Sequence, residues 1–374
     1  MRTIKKFLIN RISVAGFKSI KRCDIELRAL NVLIGSNGAG KSNFLSAFTL
    51  LQNILSEELV LYIAKSGMNS IFYNGVKTTD SLSFNIHFSD PVGRIYSFEL
   101  EPTEHNSVIF SKEEFYENTV LCVGEKATAK ISGGHSESLL NHGIGYEADK
   151  NKTQTLKDMQ FRVYHFHDTG KEAKLKSEQR VSNNKVLLHD AANLAAILYR
   201  LRCNHLSAYQ DILRTVKLIA PFLKDFELEP EEKNNELIVL RWKQKGYDDV
   251  FSAAQLSDGT LRFICLATLL MLPESLQPSI IIIDEPELGL HPFAITVFSE
   301  LVKKVSTKKQ IILSTQSVDL LNQFDADDVI VADCGDEGSI LRRLSAEELS
   351  YWIDNEYTLG ELWEKNVFGG RLSK

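Results

Sequence analysis

From Asn10 the chain alternates: apolar Ile12 and Val14 predict a strand, the turn Gly16-Phe17-Lys18-Ser19 follows, and a second strand is predicted near Ile25. Leu30 to Ile34 make a third apolar run, so three strands precede the first helix. That helix starts at a glycine-rich turn and runs from Lys41 past Leu55. Phe44, Leu45, Phe48, Leu51, Gln52 and Leu55 give it a mostly apolar stripe at helical spacing, as expected of a helix packed on a sheet. Between about Glu57 and Tyr164 the period shortens toward two, as in Leu82-Ser83-Phe84-Asn85-Ile86-His87-Phe88 and Ile95 to Leu100, which predicts antiparallel strands. The stretch from Ser132 to Lys152, rich in Gly, His, Ser and Asn, predicts a long mobile loop.

Helical spacing returns at Leu187, Leu188, Ala191, Leu194, Ala195 and Leu198, predicting a helix from about Asn184, with a second from about Leu206 to Pro221. The two would form a small helical arm. Strand character reappears at Leu237 to Trp242 and near Phe251, and a helix is predicted from Asp258 to Met271, stopped by Pro273. Strands and helices then alternate: strand Ile280 to Ile283, helix from Pro292, strand Gln310 to Leu313, helix from Ser317, strand Val329 to Ala332. Such alternation argues for a parallel sheet covered by helices, within a fold expected to hold a mixed sheet. The predicted organisation is one α/β core, divided between residues 1–60 and 236–374, with a β-rich and helical insertion at 61–235. No internal repeat or low-complexity tract interrupts it.

At 374 residues and 44% hydrophobic content the chain can bury a large core. With 43 Lys and Arg against 49 Asp and Glu, its net charge of -6 offers no general basic field for DNA, although a local patch would not show in the total. Cys23, Cys122, Cys203, Cys265 and Cys334 contain no C-x-x-C pair and leave one over, which fits neither a zinc ribbon nor a secreted disulfide framework. A reducing cytoplasm is the expected compartment. Lys5 and Lys6 are not followed by an apolar run of signal-peptide length, and no apolar run is long enough to cross a bilayer, so no membrane association is expected.

The first chemical motif is Gly35-Ser36-Asn37-Gly38-Ala39-Gly40-Lys41-Ser42, which matches G-x-x-x-x-G-K-[S/T] and lies between an apolar strand and an amphipathic helix. Glycines let the backbone fold around phosphates, and exposed amides at the helix N-terminus attract the anion. Lys41 neutralises β- and γ-phosphate charge, and the Ser42 hydroxyl can ligate magnesium. Ser36 through Asn43 are therefore the candidate ATP contacts; the competing reading is a chance glycine turn. The second motif is Ile280-Ile281-Ile282-Ile283-Asp284-Glu285, a β-branched run suited to a central parallel strand, ending in two carboxylates. Ligands of open α/β sheets sit beyond such carboxyl ends. Asp284 can hold magnesium and Glu285 can polarise an attacking water. The alternative is an acidic pair that simply favours a helix N-terminus before Pro286.

Together these motifs resemble the ABC-type P-loop ATPases of the SMC and RecF group. Leu256-Ser257-Asp258-Gly259-Thr260-Leu261-Arg262 is similar to that group's signature motif. The resemblance implies that Ser257 and Gly259 reach the γ-phosphate held by a second copy, in an ATP-sandwiched homodimer; a plain Ser N-cap is the alternative. Gly16-Phe17-Lys18-Ser19 resembles the group's F-K-S element, which would put Lys18 near the nucleotide, against a solvated basic turn. Ile311 to Ser317 resembles the switch strand, with Gln316 where relatives carry histidine. A glutamine can donate to phosphate or orient water but carries no titrating proton, so slow turnover is expected. Glu287-Leu288-Gly289-Leu290-His291-Pro292 resembles the D-loop, with His291 as an interface or capping residue. No Q-loop glutamine is assigned.

The resemblance covers about the first 60 and the last 125 residues. No heptad repeat marks a long coiled coil, and, with only a short stretch after Leu359-Gly360-Glu361-Leu362-Trp363, the Toprim nuclease domain of OLD-family relatives is not expected. It fits the compact RecF-like ATPases found beside a separate effector in bacterial defence operons. Three functions compete: Mg-dependent ATP hydrolysis by a dimer that drives a partner, an ATP-held sensor that restrains an effector protein, and a RecF-like DNA-processing ATPase. Other clusters carry less. His165-Phe166-His167-Asp168 has histidines at a metal-binding spacing but lacks partners and is expected in a turn. Cys265 is expected in the core, the acidic run Glu227-Leu228-Glu229-Pro230-Glu231-Glu232 in a solvated loop, and no Ser-His-Asp motif is present.

Overall fold

The computed structural model describes residues 8–89, 93–117, 127–131, 133–140 and 161–370. An N-terminal hairpin of β1 (Ile9–Phe17) and β2 (Ile20–Glu26) leads to β3 (Leu30–Ile34) and the helix Lys41–Leu55. The alternating stretch then supplies β4 (Leu82–Phe88), β5 (Arg94–Pro102), β6 (Val108–Glu117) and β7 (Ala127–Ile131). β4 pairs with β1, Ile12 opposite Ile86, so these strands extend the sheet that the hairpin starts. The result is an antiparallel sheet in the order β2-β1-β4-β5-β6-β7. The period-two pattern puts Ile12, Val14, Phe84, Ile86 and Phe98 among the buried residues, with the Phe84 and Phe98 rings stacked 5.0 Å apart.

β8 (Phe161–Tyr164) is followed by the short strands β9 (Gln179–Arg180), β10 (Leu223–Glu227), β11 (Leu237–Ile238), β12 (Arg241–Gln244) and β13 (Val250–Ser252), which pair as β10-β12-β13 and β11-β9. The last strands are β14 (Ile280–Asp284), β15 (Gln310–Thr315), β16 (Val329–Gly335) and β17 (Gly338–Arg343). They enter a second sheet, in the order β17-β16-β3-β15-β14-β8. β15 and β16 run parallel to β3 and β17 runs antiparallel to β16, so the sheet is mixed and the fold is the α/β class read from the sequence.

The chain forms two compact units: Met1–Arg162, Pro278–Ile282 and Lys308–Lys374 in one, Val163–Gln277 and Ile283–Thr307 in the other. The second unit carries the helices Leu194–Asn204, Leu206–Ile219, Asp258–Met271 and Pro292–Ser306. Among the described residues no helix is long and apolar enough to cross a membrane.

Several local expectations are corrected. The helix expected from Asn184 begins only at Leu194. Ala191 is left-handed, and the Asn193 side chain organises the preceding loop: it accepts from Leu188 N (2.9 Å) and donates to Asn183 O and Val186 O (both 2.8 Å). The single strand expected at Leu237 to Trp242 is two short strands with different partners. The helix Leu59–Ser66 lies inside the stretch read as β, and its N-terminal amides at Leu59 and Val60 donate to the remote Glu137 carboxylate, both at 2.9 Å. Much of the predicted loop from Ser132 to Lys152 falls outside the described residues. Its described part is anchored, because buried Glu113 accepts from Ser138 Oγ (2.5 Å) and Leu139 N (3.1 Å). The acidic run is not freely solvated either: Leu228 is buried, and Glu227, Glu229 and Glu231 pair with Lys243, Arg202 and Arg241. Cys265 is a core residue, and burial pushes its thiol up to about 12.

Candidate functional site

In the first unit, β3 is buried along its whole length and delivers the chain to the phosphate loop. The loop bends through left-handed backbone at Gly38 (φ 83°) and at Gly40 (φ 101°), the N-cap of the helix Lys41–Leu55. A side chain at Gly40 would be both strained and blocked, since its Cβ would lie 2.0 Å from Ser339 Oγ. No acidic residue occupies the first turn of the helix, so its positive end is left for an external anion. Asn37, Gly38 and Ser42 are exposed on this side, while Ala39 and Lys41 are buried. Lys41 Nζ donates to Gly35 O (2.6 Å) and Ser36 O (3.1 Å), which holds the ammonium along the loop it would share with a phosphate.

Strand register brings the switch residue to this loop. Thr315 is the partner of Ile34, so Gln316 follows on β15 as Gly35 follows on β3. Val331 pairs with Ile34 on the other side, and Ala332 O stands where a Cβ on Gly35 would come within 2.4 Å. Thr315 is fully buried and its Oγ1 accepts from Ser317 N (2.9 Å), which fixes the strand end. Asn43 Nδ2 donates to Ser19 Oγ (2.7 Å), itself 2.7 Å from Ser339 Oγ, tying the Lys18-Ser19 turn to the helix start. Lys18 is not a solvated turn residue: it is half-buried in left-handed backbone (φ 49°), and burial lowers its ammonium pKa.

In the second unit, Asp284 is buried at the carboxyl end of β14, and Glu285 follows in left-handed backbone at φ 44°. That conformation is costly for a residue with a side chain and clusters at functional sites. Residues 286–289 form a turn and the next helix starts at Pro292, so the acidic pair does not sit at a helix N-terminus. His167 Nε2 lies 2.9 Å from Asp284 O, and His165 Nδ1 3.5 Å from Asp284 Oδ2. His165 and His167 lie beyond the end of β8, and among the described residues no set of three His, Cys, Asp or Glu side chains converges as a metal site. His291 caps its helix, accepting from Phe293 N (3.2 Å).

Arg262 organises this region. Its guanidinium donates to Phe166 O (2.9 Å), His167 O (3.1 Å) and Leu288 O, so one side chain joins the segment after β8 to the turn after Glu285. Burial lowers its pKa. It ends the signature motif, yet the sequence reading gave it no role; the available signal was a lone cation on an otherwise apolar helix. Ser257 caps that helix, accepting from Thr260 N (3.2 Å), and remains exposed, so capping and availability to a ligand coexist. Gly259 approaches the turn so closely that a Cβ would stand 2.2 Å from Gly289 O.

Comparison with known proteins places the chain among relatives. The model of the family described as "AAA domain, putative AbiEii toxin, Type IV TA system" matches residues 30–322, which includes both motifs. The chain belongs to this family. The energy-coupling factor transporter ATP-binding protein EcfA2 of Staphylococcus aureus is 30% identical over 145 residues, 38% of this chain and 47% of that protein. The chain thus spans about half the length of the curated relatives it matches. Among solved structures, an SMC head bound to the C-terminal winged-helix domain of ScpA superposes with a TM-score of 0.61 at 15% identity, covering 92% of this chain and 99% of that one. An SMC head with an extended coiled coil, bound to the C-terminal domain of ScpA derived from Pyrococcus furiosus, gives 0.56 at 14%, covering 94% and 99%. The structural likenesses show the fold as that of an SMC head.

Proposed function

We propose that this chain binds Mg–ATP and hydrolyses it slowly within a head-to-tail homodimer, as the ATPase or sensor component of a bacterial antiphage defence system that controls a separate effector protein. The observation that carries the reading is the phosphate loop, with its left-handed glycines, helix start free of acids and loop-bound Lys41. Amides from Asn37 to Asn43 would face the phosphates, Ser36 would line the loop entrance with its amide held by Gly370 O, and Lys41 would shift from loop carbonyls onto the phosphates. The hydroxyl of Ser42 and the carboxylate of Asp284 are hard oxygen donors that suit magnesium, which supplies charge neutralisation on the phosphates. Glu285 would accept the proton of the attacking water and Gln316 would orient it. Lys18 would add positive charge beside the loop, and Ser257 with Gly259 would serve the nucleotide of a second copy.

The family description, which names a type IV toxin–antitoxin system, supports the defence reading. Gln316 in place of a titratable switch residue supports slow turnover and hence a sensor that stays ATP-bound. The test is Glu285→Gln: steady-state hydrolysis should fall at least about 10²-fold, the scale of a lost general base, while ATP binding persists. Equal turnover in variant and parent removes the assignment.

A further inference from the structure

The segment after Leu359 touches two functional elements of the first unit at once. The helix Leu359–Glu364 meets the short helix Val318–Leu321 that follows Gln316, and Gly360 N donates to Asn322 Oδ1 (2.7 Å). Leu362, Trp363 and Phe368 share one buried cluster with Leu321, with Val331, and with Ile34, the residue immediately before the phosphate loop. Arg342 Nη2 donates to Phe368 O (2.6 Å), and Gly370 N donates to Asp333 Oδ2 (3.2 Å). Gly370 O then accepts from Ser36 N at 2.7 Å, a backbone bond onto the phosphate loop itself.

We propose that residues 359–370 form a brace that holds the phosphate loop and the switch residue Gln316 in fixed relation, so that ATP meets a preformed site. The geometry favours a brace over an inhibitory plug. Ser36 N–H belongs to the loop's first residue after Gly35, ahead of the left-handed turns at Gly38 and Gly40 and of the helix-start amides, so Gly370 engages the loop where it leaves β3 and not where an anion would sit. The bond is anchored from behind, because Asp333 lies on β16, the strand that flanks β3. Asp333 is thus a positioning residue that acts on the site through Gly370. Losing the brace lets the loop entrance and the switch end drift independently, and binding then has to order them.

The inference rests on the nucleotide reading of the loop, and one experiment separates the two. Equilibrium binding of a fluorescent ATP analogue with magnesium is measured for the parent, Asp333→Ala and Asp333→Asn, well below the melting temperature of each. The brace requires Asp333→Ala to bind about three- to tenfold more weakly, the scale of one backbone hydrogen bond, and Asp333→Asn, which keeps an acceptor oxygen, to bind as the parent does. A change in melting temperature with unchanged affinity, or equal binding by parent and Asp333→Ala, overturns the brace and leaves the nucleotide site standing. No binding by the parent overturns both. If Asp333→Ala does not fold, truncation after Phe368 keeps the buried ring, removes Gly370, and carries the same expectation.

Discussion

The phosphate loop and the carboxylate-bearing region are built in opposite ways. The loop is local: Gly35 to Asn43 are consecutive, and the shape comes from two left-handed glycines and a lysine bonded to carbonyls five and six residues back. The carboxylate region is assembled from a distance. Asp284 and Glu285 are adjacent, but the segments around them are joined by Arg262, whose acceptors are residues 166, 167 and 288. A local device survives as a motif in the sequence. A device built from remote carbonyls leaves only a cation in an apolar helix.

That contrast can be broken by experiment. The largest effect expected is from Arg262→Ala, which takes the donor from three backbone carbonyls in a buried setting. It should cost about 2–4 kcal/mol of stability, since each unsatisfied buried acceptor costs about 1–3 kcal/mol and some will find water. Thermal or urea unfolding measures it, and a loss below about 1 kcal/mol would mean the region does not depend on Arg262. The next effect is smaller and its sign decides. Gly259→Ala should destabilise by about 1–3 kcal/mol because the new Cβ meets Gly289 O at 2.2 Å. An ordinary helical glycine would instead gain about 0.5–1 kcal/mol on becoming alanine, so stabilisation would show that the close approach is not a requirement.

Legibility follows the same division. The helix Asp258–Met271 and the start of Lys41–Leu55 agree with the sequence reading, because a Ser cap, a proline stop and a glycine-rich turn sit beside an apolar stripe. The strands β4 and β5 were readable because one face is buried and the period is two. Three features were not. The helix Leu59–Ser66 has a remote carboxylate at its N-terminus in place of a local cap. The loop before Leu194 is organised by Asn193, whose side chain competes with helix formation over residues that carry a helical pattern. The strand β17 and the helices after it leave no alternation or long stripe, and the bond from Ser36 N to Gly370 O uses a backbone carbonyl, which a side-chain pattern does not reveal. The motif Gly35 to Ser42 named the loop but said nothing of what holds it.

The central claim is that the loop at Gly35 to Ser42 binds the phosphates of Mg–ATP through Lys41 and the helix start. Its most direct test is a calorimetric titration of Mg–ATP into the parent and into Lys41→Ala, with folding of both confirmed by circular dichroism. The account requires saturable binding by the parent and at least about tenfold weaker binding by Lys41→Ala, since a hydrogen bond to a charged group is worth about 1.5–3 kcal/mol. Equal affinity in the two proteins, or no binding by the parent, would contradict it.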